Sequence, residues 1–230
     1  MSRILRLLTP ALLLVAGLTG CNWADRAPTD PRLFSFYRHP SIEGVRRIAV
    51  VPLYRGPEVG ASAAAFDPAT ATAWRELGCF EVMVMDDAER DRYLPDDVIA
   101  HNNLPSEALR RLYLDHRIDA VLVGRIEQFD CYDPISAGVT LNLISCRDGG
   151  VKWSATCHFD AARTEIQDDV HRWHTASRGK ANPDIAGWRA TLQTPRLFAR
   201  YLSDRLASSA LRGSPQQATA SRRRLRPRLH

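Results

Sequence analysis

His171 and His174 are the residues whose type and spacing come closest to a metal-binding pattern. They stand three positions apart in a polar segment predicted to be helical, and Asp168 and Asp169 precede them by about one turn. Two imidazoles on one face of a helix can bind a zinc ion. The segment offers no third fixed ligand, because His158 falls on a predicted strand. We therefore interpret these residues as a solvated polar helix face and predict no metal and no cofactor.

Cys21 is the second residue whose sequence context indicates a chemical role. It closes the tetrapeptide Leu18-Thr19-Gly20-Cys21, which ends a segment with two early arginines, Arg3 and Arg6, and a short apolar stretch over residues 7–18. The stretch has the length of the apolar region of a signal peptide and is too short to span a bilayer. A run of small residues ending in cysteine resembles the lipobox of bacterial lipoproteins.

The resemblance to bacterial lipoproteins implies that residues 1–20 are a signal peptide cut before Cys21. The Cys21 thiol would carry a diacylglyceryl group, and acyl chains such as palmitate would anchor the protein without a membrane span. In lipoprotein families an aspartate after the cysteine often retains the protein at the inner membrane. Asn22 stands there in this chain, which favours the periplasmic face of the outer membrane. An ordinary signal peptide with an incidental cysteine is the alternative.

Catalytic motifs do not stand out in the rest of the chain. It shows no glycine-rich phosphate loop, no nucleophile elbow and no paired carboxylates at a catalytic spacing. We therefore predict no catalytic residues and a protein that is not an enzyme.

The basic character of the chain belongs to its C-terminal tail. The formal net charge is +5, but five arginines lie in the last nine residues and two more in the signal segment, so the part between them is nearly neutral. We predict a signal peptide (1–20), a tether (21–43), a single domain (44–212) and a disordered basic tail (213–230). The tail is either a solvated terminus or a contact for anionic lipid headgroups. The export signal argues against a nucleic-acid partner.

Short apolar runs alternate with helical patterns along the domain and predict an α/β fold. We expect a mixed sheet of about five strands in the order β-α-β-α-β-β-β, with C-terminal helices packed on it. Asp67 is the predicted N-cap of the first helix and Gly78 its stop. The expected strands begin near residues 46, 80, 118, 138 and 151, and the last two helices cover about 161–176 and 195–210.

The expected core centres on the strand that begins near residue 118. Val121 and Val123 lie in a continuously apolar run, which predicts a central strand covered on both faces. Trp74 and Trp153 each sit on an apolar stripe, so we predict core positions for both rather than a ligand platform.

The cysteines of the meander are not expected to form a disulfide. Cys131, Cys146 and Cys157 fall on three successive predicted strands, but the turns between the strands keep any two of them from facing each other. A disulfide requires Cα atoms within about 7 Å.

Three stretches, residues 47–52, 77–82 and 119–126, resemble the opening strand, the helix end with the second strand, and the central strand of a superfamily of envelope proteins. Residues 141–144 and 150–155 resemble its next two strands. The superfamily contains the curli-secretion lipoprotein CsgG, the penicillin-binding-protein activator LpoB and the TolB N-terminal domain. Its members share no catalytic residues, and they assemble, dock or activate other envelope proteins. The long amphipathic hairpins of its pore-forming members are missing here, which argues against a pore.

The resemblance implies a lipid-anchored, non-catalytic protein that acts through protein contacts in envelope assembly or secretion. Its partners would be the membrane, other envelope proteins and, if it oligomerises, further copies of itself. Two alternatives remain open. Convergence of His158, His171 and His174 in one polar pocket would favour a periplasmic hydrolase, and a closed apolar cavity would favour a lipid-anchored ligand-binding domain.

Overall fold

The computed structural model describes residues 33–95, 98–99, 104–132, 134–177 and 187–212, which form a mixed α/β domain. The strands are β1 (Phe34–Arg38), β2 (Arg47–Val50), β3 (Tyr54–Arg55), β4 (Glu81–Val84), β5 (Ala120–Asp130), β6 (Ser136–Ser145) and β7 (Val151–Asp160). The helices are α1 (Phe66–Glu76), α2 (Asp87–Tyr93), α3 (Ser106–His116), α4 (Thr164–Ser177) and α5 (Pro195–Ser209). Short 3-10 helices cover Pro40–Gly44, Ala61–Ala65 and Trp188–Leu192.

The sheet combines a parallel part and an antiparallel part. Its strand order is β1-β7-β6-β5-β2-β4, and β3 pairs with β5 beyond the end of β2. β2 is parallel to β4 and β5, whereas β5, β6, β7 and β1 are antiparallel to their neighbours. The predicted α/β class and the antiparallel meander are confirmed, but the sheet has seven strands among the described residues rather than about five.

β1 is the larger difference from the sequence analysis, which places residues 34–38 in the tether. Phe34 is buried and stacks edge-to-face on Phe159 at a centroid distance of 6.3 Å. The strand pairs with β7, with Phe34 opposite Cys157 and Arg38 opposite Trp153. The tether prediction therefore does not hold for residues 34–38, whose pairing partner lies more than 100 residues away in sequence and leaves no local signal.

Asp67 is not the N-cap of α1, contrary to the sequence analysis. The preceding 3-10 helix runs directly into α1, so Ala65 takes the cap position. Asp67 instead ties the loop after β2 to the helix, because its carboxylate accepts hydrogen bonds from the Leu53 N–H at 2.8 Å and the Arg55 guanidinium at 2.7 Å. Gly78 follows the helix with φ of +73°, a left-handed conformation that favours glycine, which confirms the predicted stop.

Helices cover both faces of the central strands. α1, α4 and α5 pack on one face, where the Trp74 and Trp153 rings meet edge-to-face at 5.2 Å and both residues are fully buried. α3 covers part of the other face, where Val121 and Val123 are 0% and 1% exposed. The core positions of both tryptophans and of the central strand are confirmed. Within the described residues no disulfide joins the cysteines.

Candidate interaction surface

The other face of the sheet is only partly covered by the helices that the structure describes. α2 and α3 lie over β2, β4 and the start of β5, whereas the outward side chains of β1, β7, β6 and the second half of β5 are partly or fully exposed. We call this surface the open face. Side chains that can donate or accept hydrogen bonds line it: Ser35, Tyr37, Arg125, Glu127, Thr140, Asn142, Ser154, Thr156 and His158.

Glu127 is the centre of the hydrogen bonding on the open face. Its carboxylate accepts a hydrogen bond from the Thr140 hydroxyl at 2.9 Å and from the Arg125 guanidinium at 3.1 Å. Thr140 also lies 3.2 Å from the Thr156 hydroxyl on the next strand. Burial by itself would raise the pKa of Glu127, but the hydrogen bonds from Thr140 and Arg125 outweigh burial and hold that pKa below its usual value. The carboxylate is therefore charged at neutral pH and already has partners.

His158 lies beside this cluster on β7. Its Nε2 atom is 3.9 Å from the Glu127 carboxylate, and 69% of its side chain is exposed. The ring lies over Gly138 of β6, where a Cβ atom would stand 3.0 Å from the His158 Nδ1. Because Gly138 has no side chain, the His158 imidazole has room to lie against the sheet at this position. The open face offers exposed donors and acceptors on a β-sheet, and sites built on strands are more precise than sites on loops, which suits binding.

The open face ends at β1, which is an edge strand of the sheet that the structure describes. Within the described residues β1 pairs with β7 alone, so its other edge presents unpaired backbone N–H and C=O groups. Such an edge can accept an additional strand from another chain. No proline interrupts β1, and Ser35 and Tyr37 extend the open face to this edge.

The histidines considered in the sequence analysis do not converge. His171 and His174 lie on α4, as predicted, and the His171 ring packs edge-to-face on Trp188 at 5.5 Å. α4 packs on the sheet face that contains Cys157 and Phe159, so His158 points away from it. The described residues contain no cluster of three or more potential metal ligands.

Asp169 departs from the interpretation of a solvated helix face. It is 0% exposed and forms an ion pair with Arg205 of α5, whose Nε donates to it at 2.7 Å. The Tyr201 hydroxyl donates to the same carboxylate oxygen at 2.8 Å, and burial strongly raises the pKa of this tyrosine. The spacing of Asp169 from Ile166 and Val170, which are also buried, is the sequence signal that identifies its inward position. This network holds α4 to α5 and is structural.

A groove lies on another part of the domain, where β1 ends, β2 begins and α5 ends. Its volume is about 240 Å³. Its lining is mainly apolar, with Ile42, Val45, Phe80, Ala210 and Leu211 among the residues that form it. The groove is open to solvent, so it is not the closed apolar cavity that would favour a ligand-binding domain.

The predicted lipidation site and signal-peptidase motif, Cys21 with Leu18, Thr19 and Gly20, lie outside the described residues. The same holds for the signal peptide, the first part of the tether and the basic tail over residues 213–230. Within the part of the chain that the structure describes, no helix is long and apolar enough to cross a membrane.

Comparison with known proteins finds similar solved structures but no family. No protein family matches the chain, and no curated protein matches it. The PelC dodecamer from Paraburkholderia phytofirmans is 18% identical, with a TM-score of 0.42 over 75% of this chain and 96% of that one. The lipoprotein GNA1162 from Neisseria meningitidis is 19% identical, with a TM-score of 0.35 over 50% of this chain and 79% of that one.

The hypothetical protein CT253 from Chlamydia trachomatis is 13% identical, with a TM-score of 0.40 over 73% of this chain and 94% of that one. At such low identities and TM-scores, none of these structures assigns the chain to a family or a function. Membership of the superfamily of CsgG and LpoB is not shown by them and stays a prediction.

Proposed function

We propose that this protein is a lipoprotein, anchored through Cys21 at the periplasmic face of the outer membrane, which acts without catalysis through protein contacts in envelope assembly or secretion. The observation that carries the contact function is the open face with its adjoining free edge at β1. The anchor rests on the lipobox pattern of residues 18–21.

The geometry favours binding over hydrolysis as the role of the described domain. A hydrolase of the kind considered from the sequence needs His158, His171 and His174 in one pocket, and these residues lie on opposite faces of the sheet. The Glu127 carboxylate on the open face is held by Thr140 and Arg125. It therefore positions neighbouring donors on a binding surface.

The anchor predicts that Cys21→Ser abolishes membrane association. Without the thiol no diacylglyceryl group can be attached, and acyl chains supply roughly 0.8 kcal/mol of membrane affinity per buried CH₂. We expect labelled palmitate to enter the wild type and a Cys131→Ser control but not Cys21→Ser, and we expect only the first two in the outer-membrane fraction. Labelled Cys21→Ser in that fraction would disprove the lipoprotein assignment.

The contact function predicts that a photoreactive benzoylphenylalanine in place of Thr156, on the open face, cross-links to protein in intact cells. The same group in place of Glu165, which is exposed on α4 on the opposite side of the sheet, is the control. We expect adducts from position 156 only, and mass spectrometry would distinguish a second copy of the chain from another envelope protein. Correctly anchored protein without adducts at position 156, or with the same adducts at both positions, would contradict the proposed role of the open face.

A further inference from the structure

The groove at the end of α5 has an apolar interior built by three chain segments. Ile42 of the first 3-10 helix, Val45 before β2 and Ala210 after α5 are 3%, 6% and 1% exposed. Phe80 and Leu211 line the groove and are half-buried. The groove is separate from the open face, so its role does not depend on the contacts proposed there.

Two arginines border the groove, and their environments differ. The Arg38 Nε donates to the Ala210 carbonyl at 2.7 Å, and its guanidinium lies 3.5 Å from the Glu43 carboxylate. Arg38 therefore has a structural role, because its side chain caps the C-terminal end of α5. Its partner Glu43 is 78% exposed and is the carboxylate that lines the groove.

The exposed guanidinium of Arg46 provides a positive charge at the rim of the groove. The backbone N–H of Arg46 donates to the Asp119 carboxylate at 3.0 Å, which fixes the backbone at the start of β2. Among the described residues its exposed guanidinium has no hydrogen-bond or ion-pair partner. A positive group on a fixed backbone thus stands beside an apolar groove.

The size of the groove limits what it can hold. Sites for drug-sized ligands have volumes of roughly 300–1,000 Å³, whereas this groove measures about 240 Å³. One or two aliphatic side chains fill such a space, and a neighbouring carboxylate would form a charge-assisted pair with a guanidinium. The chain's own tail has the wrong charge, because five arginines lie in its last nine residues.

We propose that the groove is a docking site for a partner protein that inserts an aliphatic side chain and pairs an adjacent carboxylate with Arg46. A few residues seated in well-packed pockets supply most of the binding free energy at protein interfaces, and arginine is enriched among them. The charge of Arg46 selects acidic over basic partner segments.

Methyl NMR of the full chain in phospholipid nanodiscs tests this site. The probes are two capped peptides, acetyl-Gly-Leu-Glu-Gly-amide and acetyl-Gly-Leu-Lys-Gly-amide, and the signal is the δ1 methyl of Ile42 in the groove. We expect the glutamate peptide to shift this methyl in a saturable way and the lysine peptide to bind about fivefold more weakly. Equal shifts with both peptides, or no shift with either, would overturn the proposal.

Reversing the charge at position 46 distinguishes recognition of the peptide's charge by Arg46 from nonspecific apolar binding in the groove. Arg46→Glu should reverse the preference, so that the lysine peptide binds more tightly than the glutamate peptide. Arg196→Glu, which reverses an exposed charge at the far end of α5, is the matched control and should behave like the wild type. An Arg46→Glu variant that is folded by its methyl spectrum and keeps the wild-type preference would show that Arg46 does not select the partner.

Discussion

Replacing Arg205 by methionine should lower the free energy of unfolding by about 3 kcal/mol, because Asp169 loses its buried counter-charge. The Arg172 guanidinium, which is 47% exposed and lies 3.2 Å from the Asp169 carboxylate, remains as an ion-pair partner. Asp169 is 0% exposed, and Arg205 supplies its closest contact at 2.7 Å. The measurement is urea unfolding followed by tryptophan fluorescence. Arg200→Met is the matched control on the same helix: its guanidinium is 47% exposed and lies 3.9 Å from Glu76, so its loss should change stability by about 0–1 kcal/mol.

A compensating variant identifies the cause of the Arg205→Met effect. Asp169→Leu, Tyr201→Phe and Arg205→Met together remove the buried carboxylate, its buried counter-charge and the hydroxyl that donates to Asp169, and they leave the half-exposed Arg172 in contact with solvent. Replacing a buried ion pair by apolar side chains of similar volume is often neutral or stabilising. We expect the triple variant to recover most of the lost stability. If Arg205→Met unfolds at the same urea concentration as the wild type, the ion pair does not hold α4 to α5.

Val121→Asp should destabilise the domain by about 4 kcal/mol or more, since it buries an unpaired carboxylate in the central strand. Val121 is 0% exposed between the central strand and α3. A loss of this size is a large part of the roughly 5–15 kcal/mol that stabilises a domain. The measurement is thermal unfolding followed by circular dichroism.

The control for Val121→Asp is the same substitution at an exposed position. Val84 on the edge strand β4 is 44% exposed, and Val84→Asp should cost about 1 kcal/mol or less. If Val121→Asp does not fold at all, Val121→Ala gives a measurable step of about 2 kcal/mol from the cavity it leaves. A Val121→Asp protein that melts like Val84→Asp would show that β5 is not central.

Much of the fold follows from local patterns in the sequence. The continuous apolar run around Val121 and Val123 indicates a strand covered on both faces, and the alternation of Leu141 and Leu143 with polar residues indicates its neighbour. Gly78 marks the end of α1, because glycine adopts the left-handed conformation without a steric penalty. The predicted α/β class, the meander and the buried tryptophans depend on such local signals.

The features that the sequence analysis missed depend on partners distant along the chain. β1 becomes a strand because β7 pairs with it, and its own residues include no periodic run long enough to predict it. Asp67 suits an N-cap by its type and position, but the Leu53 N–H and the Arg55 guanidinium take its carboxylate. A side chain such as Asp67 can either cap its own helix or bind a group that is distant in sequence, and only the folded structure shows which of the two it does.

The sequence by itself determined the order and kind of the main elements, and the lipobox pattern at Cys21 that predicts an anchor, because periodicity, turn residues and processing motifs are local along the chain. Only the tertiary structure decided which surfaces remain available. The open face exists because the described helices cover only part of one sheet face, and the groove beside Arg46 forms where segments more than 160 residues apart come together. Burial and solvent access depend on the packing of all elements at once, so no single stretch of sequence encodes them.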